Sequence, residues 1–380
     1  MIRRLFRWFL YTLGLVLILV IGAGVLLQTA PGKRLLAEQL SSRLSTPEAG
    51  FDIAGIEGWL PLDMQIGAFQ LSDRDGVWLK ADGVTLDWSP SALVSGRIQV
   101  DEIKAEQIEI LRPPLSDETP EPPSDEPFRL PELPTSLPPI TVERFAIPEI
   151  LLGAPLLGEA ASFSLEGAVR AGDSGDQVEA VLDLARTDEK TAFAKLDATA
   201  GLNPPVLDLT LNAGENGGMI GALLDRPDMG EVTLSLKGKG PLDDWSGRLE
   251  ADAGGLALAE ADLGLALVQQ PRITLDASLQ PATGLLPEDI AALIGDALLL
   301  DLDVVQTKAQ ALDLQKIALT TDLATVDAGG TVDFDSGDLA LQTRLAVPDL
   351  SPLDALAEAT LSGGAEAVLD LSGTLTAPKG

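Results

Sequence analysis

The chain has 380 residues and a formal net charge of −32, which leaves room for two or three ordinary domains and repels nucleic acid and anionic headgroups at long range. It contains no cysteine and no histidine, so disulfides, thiolate nucleophiles, thiolate or histidine metal sites and Ser-His-Asp chemistry are excluded. Aromatics make up only 4% of residues, a poor composition for an aromatic-lined pocket and a good one for a plain aliphatic surface.

The first stretch, Leu5 to Leu27, is almost wholly apolar, and no charge falls between Arg7 and Lys33. As a helix, the uncharged run would reach about 37 Å, enough to cross a hydrocarbon core of about 30 Å. The sequence predicts a transmembrane anchor here, with Leu5, Trp8, Leu10, Leu15, Ile18, Ile21 and Leu27 as its membrane-facing residues. Arg3, Arg4 and Arg7 precede it without a neighbouring acid, which places the N-terminus in the cytoplasm and the bulk of the chain outside. A cleaved signal peptide is the rival reading, but Pro31 after Ala30 makes a poor cleavage junction.

Residues 31 to 112 form the next region. Leu35, Leu36, Leu40 and Leu44 recur at helical spacing, so a short amphipathic helix is expected, either covering the first strands or touching the membrane. From Phe51 the period becomes two. Phe51 and Ile53, Phe69 and Leu71, Val77 and Leu79, Val84 to Trp88, Ile98 and Val100, and Ile108 and Ile110 read as short half-buried strands. Residues 113–139 carry ten prolines and six acids, which predicts an extended linker. Residues 140–380 are strand after strand. The clearest runs are Leu207, Leu209 and Leu211, then Val232, Leu234 and Leu236, then Ile273 and Leu275, each with polar neighbours between. Helical interruptions are expected at Met219 to Asp225, Pro287 to Leu298 and Pro352 to Ala359.

The fold class predicted is mainly β: the N-terminal transmembrane helix, then a long curved antiparallel sheet with a few short helices. Hairpins with one aliphatic face and no closure signal would leave an apolar groove, and Leu207, Leu209, Leu211, Val232, Leu234, Leu236, Ile273 and Leu275 are its candidate lipid-contacting residues. Asp301 with Asp303, Asp333 with Asp335, and Asp73-Arg74-Asp75-Gly76 have spacings that suit a hard cation, although solvent-facing strands and turns explain all three. There is no phosphate-binding loop and no nucleophile elbow, so no catalytic residue is assigned and neither cofactor nor metal is expected.

Several segments together resemble a known family. They are Thr29-Ala30-Pro31-Gly32-Lys33-Arg34, Leu71-Ser72-Asp73-Arg74-Asp75-Gly76-Val77-Trp78-Leu79, Leu86-Asp87-Trp88-Ser89-Pro90-Ser91-Ala92-Leu93, Gly96-Arg97-Ile98, Leu111-Arg112-Pro113-Pro114, and Gly240-Pro241-Leu242-Asp243-Asp244-Trp245-Ser246-Gly247. The chain is similar to the N-terminal part of the TamB family, the inner-membrane subunits of translocation and assembly modules in the AsmA-like group. That resemblance implies a β-taco in the periplasm of a Gram-negative cell. It also implies a TamA-type outer-membrane barrel, nascent outer-membrane proteins such as autotransporters, and phospholipid as partners. Family chains are longer, so a truncated chain is expected. The expected function is an inner-membrane-anchored subunit that supports outer-membrane protein assembly and carries phospholipid. The alternative is a scaffold or β-strand template without lipid transport; an envelope hydrolase using carboxylates ranks last.

Overall fold

The computed structural model describes residues 28–46, 49–60, 63–115, 128, 134, 136–172, 174–216, 230–254, 257–267, 270–281, 294–354, 359–374 and 377–379. These hold twenty strands, two short α-helices and two 3-10 turns. Contacts divide them into two units. The first takes in residues within Met1–Asp117, Pro138–Arg170 and Leu184–Glu189, the second those within Glu118–Leu137, Ala171–Asp183 and Lys190–Gly380.

The first unit begins with α1 (Ala30–Leu44), where the Thr29 hydroxyl accepts from Gly32 N and Pro31 sits in the first turn. Its inner face packs Leu36, Ala37 and Leu40 against Ile53, Ile56, Leu60, Met64, Ile66 and Phe69. Its serines also serve the neighbouring strand, β1 (Gly50–Glu57). Ile53 N donates to Ser41 Oγ at 3.0 Å and Phe51 N to Ser45 Oγ at 2.9 Å, so two donors on the outer side of β1 are met by side chains of α1. Leu35 and Leu44 remain exposed on the opposite side of α1.

Next, β2 (Asp63–Asp73) and β3 (Gly76–Trp88) continue an antiparallel meander from β1. The far edge of β3 takes two short strands in line, β4 (Ile98–Lys104) and β5 (Gln107–Ile110), interrupted at Ala105-Glu106. Both then pair in parallel with β6 (Ile140–Leu152), Ile98 with Ile140 and Ile110 with Leu152. A parallel joint needs a long crossover, and the proline-rich connector supplies it. Antiparallel pairing resumes with β7 (Ala161–Ala171).

Two arginines tie distant parts of this unit together. Arg112 grips Asp73 bidentately, at 2.7 and 2.5 Å, and donates to Gly76 O at 2.9 Å. Asp75 N and Leu115 N also donate to Asp73, so this carboxylate is committed to a turn clamp and not to a cation loop. The Arg112 guanidinium holds the Asp73 carboxyl well below the usual carboxylate range. Arg186, whose side chain is 2% exposed, pairs with Asp188 at 2.8 Å and Glu159 at 3.0 Å. Its guanidinium lies 5.9 Å from the centroid of the Phe163 ring.

Beyond β8 (Gln177–Arg186), the second unit is an antiparallel meander in chain order. It runs through β9 (Thr191–Leu202), β10 (Pro205–Asn216), β11 (Val232–Pro241), β12 (Trp245–Ala253), β13 (Ala257–Ala266) and β14 (Arg272–Pro281). It continues through β15 (Leu298–Lys308), β16 (Ala311–Thr320), β17 (Thr325–Asp333), β18 (Asp338–Val347), β19 (Ala365–Thr374) and β20 (Ala377–Lys379). Register shifts near Asp303 and at Gln315-Lys316 place bulges in the β15–β16 and β16–β17 ladders.

The mainly β, antiparallel architecture with few short helices is therefore present, with one parallel joint that period-two reading does not reveal. The N-terminal transmembrane helix is corrected. No helix among the described residues is long and apolar enough to cross a membrane. The longest of them, α1, has 15 residues and carries Lys33, Arg34, Glu38 and Arg43; at 1.5 Å per residue it reaches only about 22 Å. Leu5, Trp8, Leu10, Leu15, Ile18, Ile21, Leu27 and the arginines Arg3, Arg4 and Arg7 lie outside the described residues. The single-pass topology and inner-membrane location that rested on them are withdrawn. Of the expected helical interruptions, Met219–Asp225 and most of Pro287–Leu298 also lie outside the described residues, and Leu298 opens β15. Near Pro352 there is a 3-10 turn at Ser351–Leu353.

Two outcomes follow for the first unit. Arg186→Ala should lower unfolding free energy by about 1–3 kcal/mol in chemical denaturation, because it strips charged hydrogen bonds from Glu159 and Asp188. The folded-state carboxyl of Asp73 is held low, so its contribution is complete above about pH 4 and is lost as pH falls below that. Stability measured against pH should drop below about pH 4, and Asp73→Asn should remove part of that slope.

Candidate functional site: a one-sided ladder

Alternation along each strand of the second unit sends aliphatic side chains to one face and charged ones to the other. The registers bring the aliphatic side chains into a single row. Leu196, Leu211, Leu236, Leu249, Ala261, Ala277, Leu300, Leu319, Val326, Leu345 and Ala367 lie directly opposite one another in turn, one from each strand from β9 to β19. Such a row is the sheet's main source of side-chain stabilisation, each pair contributing about 0.2–1 kcal/mol.

The candidate lipid-contacting residues are only partly brought together. Leu211 and Leu236 face each other, but Leu207 faces Gly240, Leu209 faces Gly238, Leu234 faces Ala213 and Val232 faces the buried carboxylate residue Glu215. Leu275 lies between Leu263 and Leu302, and Ile273 lies between Leu265 and Val304. The gap at the glycines is filled by Trp245, which is 7% exposed and donates from Nε1 to Leu207 O at 3.1 Å. A Cβ on Gly238 or Gly247 would collide with its indole, so both glycines are there to admit the ring. Two hollows of about 540 and 550 Å³ are lined mostly by polar residues. The first includes Asp208, Thr210, Lys237, Lys239, Arg248 and Asp262, the second Lys316, Asp327, Gln342, Arg344, Val368 and Asp370. An apolar face broken by glycines, an indole and a carboxylate gives no support to a lipid conduit, and that reading is set aside.

The charged face is a lattice of ion pairs. Arg248 reaches Glu250, Glu260 and Asp262; Lys239 pairs with Asp208, and Lys195 with Asp183. The candidate cation sites are used up in the same way. Asp301 pairs with Lys316 and Asp303 with Arg272, while Asp333 accepts from Asp335 N and Ser336 N in a turn and pairs with Lys308. Among the described residues no group of three or more acids is placed to hold a metal ion.

At one limit of the ladders, Phe51 N and Ile53 N on the outer side of β1 donate to Ser45 and Ser41 of α1. At the other, β19 pairs with β18 along its full length, from Ala365 with Val347 to Thr374 with Asp338. β20 pairs with the other side of β19, from Thr374 with Ala377 to Ser372 with Lys379.

Trp245's place did not belong to the site predicted from sequence. The signal was present: glycines at 238 and 247 flank the tryptophan turn. The fold defines a mainly β protein built on an antiparallel meander. No family model, curated protein or solved structure matches the chain.

Gly238→Ala should destabilise the second unit by about 1–3 kcal/mol, the cost of overpacking against the indole. In a Trp245→Ala background the same substitution should cost far less, and a double-mutant cycle by urea denaturation measures the difference.

Proposed function

We propose that the chain is a non-catalytic scaffold built on its strand ladder. The observation that carries this reading is the aliphatic row from Leu196 to Ala367, one residue from each strand from β9 to β19, backed by a face of cross-strand ion pairs. A one-residue slip would turn the aliphatic row to the charged side, so the two faces together hold every strand in one phase. The resemblance to the TamB family fits this reading, since the fold which that resemblance implies is itself a long strand meander.

The test places a photocrosslinking residue at Leu249, in the aliphatic row, and separately at Glu250, on the charged face, in cells that produce the chain. Adducts to polypeptide and none to lipid are expected. Phospholipid adducts at Leu249 would overturn the reading.

A further inference from the structure

We infer that the hollow of about 540 Å³ on the charged face of β10 to β13 binds the carboxylate of a small organic acid, because Lys237 stands there directly opposite Arg248 and beside Lys239 with no acid of its own. The ladders fix the side of the sheet. Thr210, Lys237, Arg248 and Asp262 lie opposite one another in turn, as do Asp208, Lys239 and Ser246, and all of them line the hollow. Trp245 does not line it, since its ring covers Gly238 and Gly247 from the aliphatic side.

The acids around Lys237 are already taken. Across the β10–β11 ladder it meets Thr210, and the acid diagonal to it, Asp208, pairs with Lys239 at 2.7 Å. Across the β11–β12 ladder it meets Arg248, and the diagonal acid there, Glu250, pairs with Arg248. Arg248 also holds Glu260 at 2.6 Å and Asp262 at 3.3 Å. Among the described residues Lys237 has neither an ion pair nor a hydrogen bond. Like charges directly opposite on neighbouring strands destabilise a ladder. In a chain with 58 acidic and 26 basic residues, two bases meeting without a spare acid is the reverse of what composition would supply. A bound carboxylate turns that repulsion into a shared contact.

Three features select the ligand. Lys237, Lys239 and Arg248 against Asp208 and Asp262 leave the lining with one net positive charge, which a single carboxylate neutralises and a dianion oversteps. The hydroxyls of Thr210, opposite Lys237, and Ser246, diagonal to it, have no partner among the described residues and are free to bond a second oxygen or a ligand hydroxyl. The volume lies within the range of about 300–1,000 Å³ usual for small-molecule sites. The net charge of −32 repels polyanions at long range and a small monoanion least.

The experiment uses the full chain with isotope-labelled methyl groups on its lysines, a modification that keeps their charge and gives each an NMR signal; loss of one signal in Lys237→Gln identifies that of Lys237. The probes are lactate, its neutral amide lactamide, inorganic phosphate, and chloride at matched ionic strength. Lactate should shift the Lys237 signal saturably, with half-saturation at or below about 10 mM, and lactamide should not. The rise in urea midpoint that lactate produces reads binding in the variants. Lys237→Gln should weaken binding at least about tenfold, and Lys237→Arg should retain most of it. Lys195→Gln removes an equal charge from a lysine already paired with Asp183 and should leave binding unchanged. Without ligand, Lys237→Gln should raise the urea midpoint, because Arg248 loses its like-charged neighbour. A lower midpoint would overturn the inference, since Lys237 would then be engaged by the protein itself. Equal shifts with lactate and chloride would overturn it as mere screening, and tighter binding of phosphate than of lactate would overturn the carboxylate assignment. The scaffold reading is tested separately: lipid adducts at Leu249 would end that reading and leave this site, on the other face, standing.

Discussion

Everything in this molecule depends on backbone pairing between neighbouring strands. Among the described residues the buried hydrophobics are mostly alanines and no large side chain is fully enclosed, so no thick core holds these strands in place. Each strand is held by the one before and the one after, through ladder hydrogen bonds and opposite side-chain pairs of modest individual value. Such an arrangement resembles a repeat protein more than a globule: stability accumulates from nearest-neighbour terms. Register is what those terms protect, because the aliphatic row from Leu196 to Ala367 survives only if every pairing is in phase.

That dependence explains how the two faces differ. On the aliphatic side two glycines of β11 and β12 make way for one indole, and Glu215 of β10 adds a buried carboxylate. On the other side the acids that give the chain its charge are partly balanced by cross-strand cations, with Arg248 serving three carboxylates at once. Exposed pairs of this kind add little stability individually. Their value here is in favouring one phase of pairing, since a slipped strand would carry its charges to the wrong face.

Much of the architecture was legible in the sequence because period two is a direct imprint of the pleat. Leu207-Asp208-Leu209-Thr210-Leu211 reads as a strand, and it is one. What periodicity cannot encode is which strands are neighbours in parallel. Ile108 and Ile110 announced a strand, but nothing local says that its partner begins beyond ten prolines at Ile140. The same limit applies to the site. Alternation identified the leucines of β10 and β11, yet whether they form a continuous surface depends on what stands opposite. There the partners are Gly238 and Gly240, with Trp245 laid across the gap. The aspartate pairs failed as cation sites for a related reason, because Arg272 and Lys316 reach Asp303 and Asp301 from other strands.

The parallel joint also sets how this chain can assemble itself. A hairpin closes at its turn: Leu202 meets Pro205 across two residues, and each later pair adds to a loop already shut. Between β4 or β5 and β6 there is no such starting place. Ile98 and Ile140 are 42 residues apart (140 − 98), and so are Ile110 and Leu152 (152 − 110). Every contact in that joint encloses the same length of chain, so the first one bears the whole closure entropy, about 2 kcal/mol more than a three-residue turn on a logarithmic scale. Hairpins zip locally and quickly, whereas this joint waits for a long-range encounter. The crossover thus becomes a timing element, whose length governs how fast the two halves of the first unit find each other.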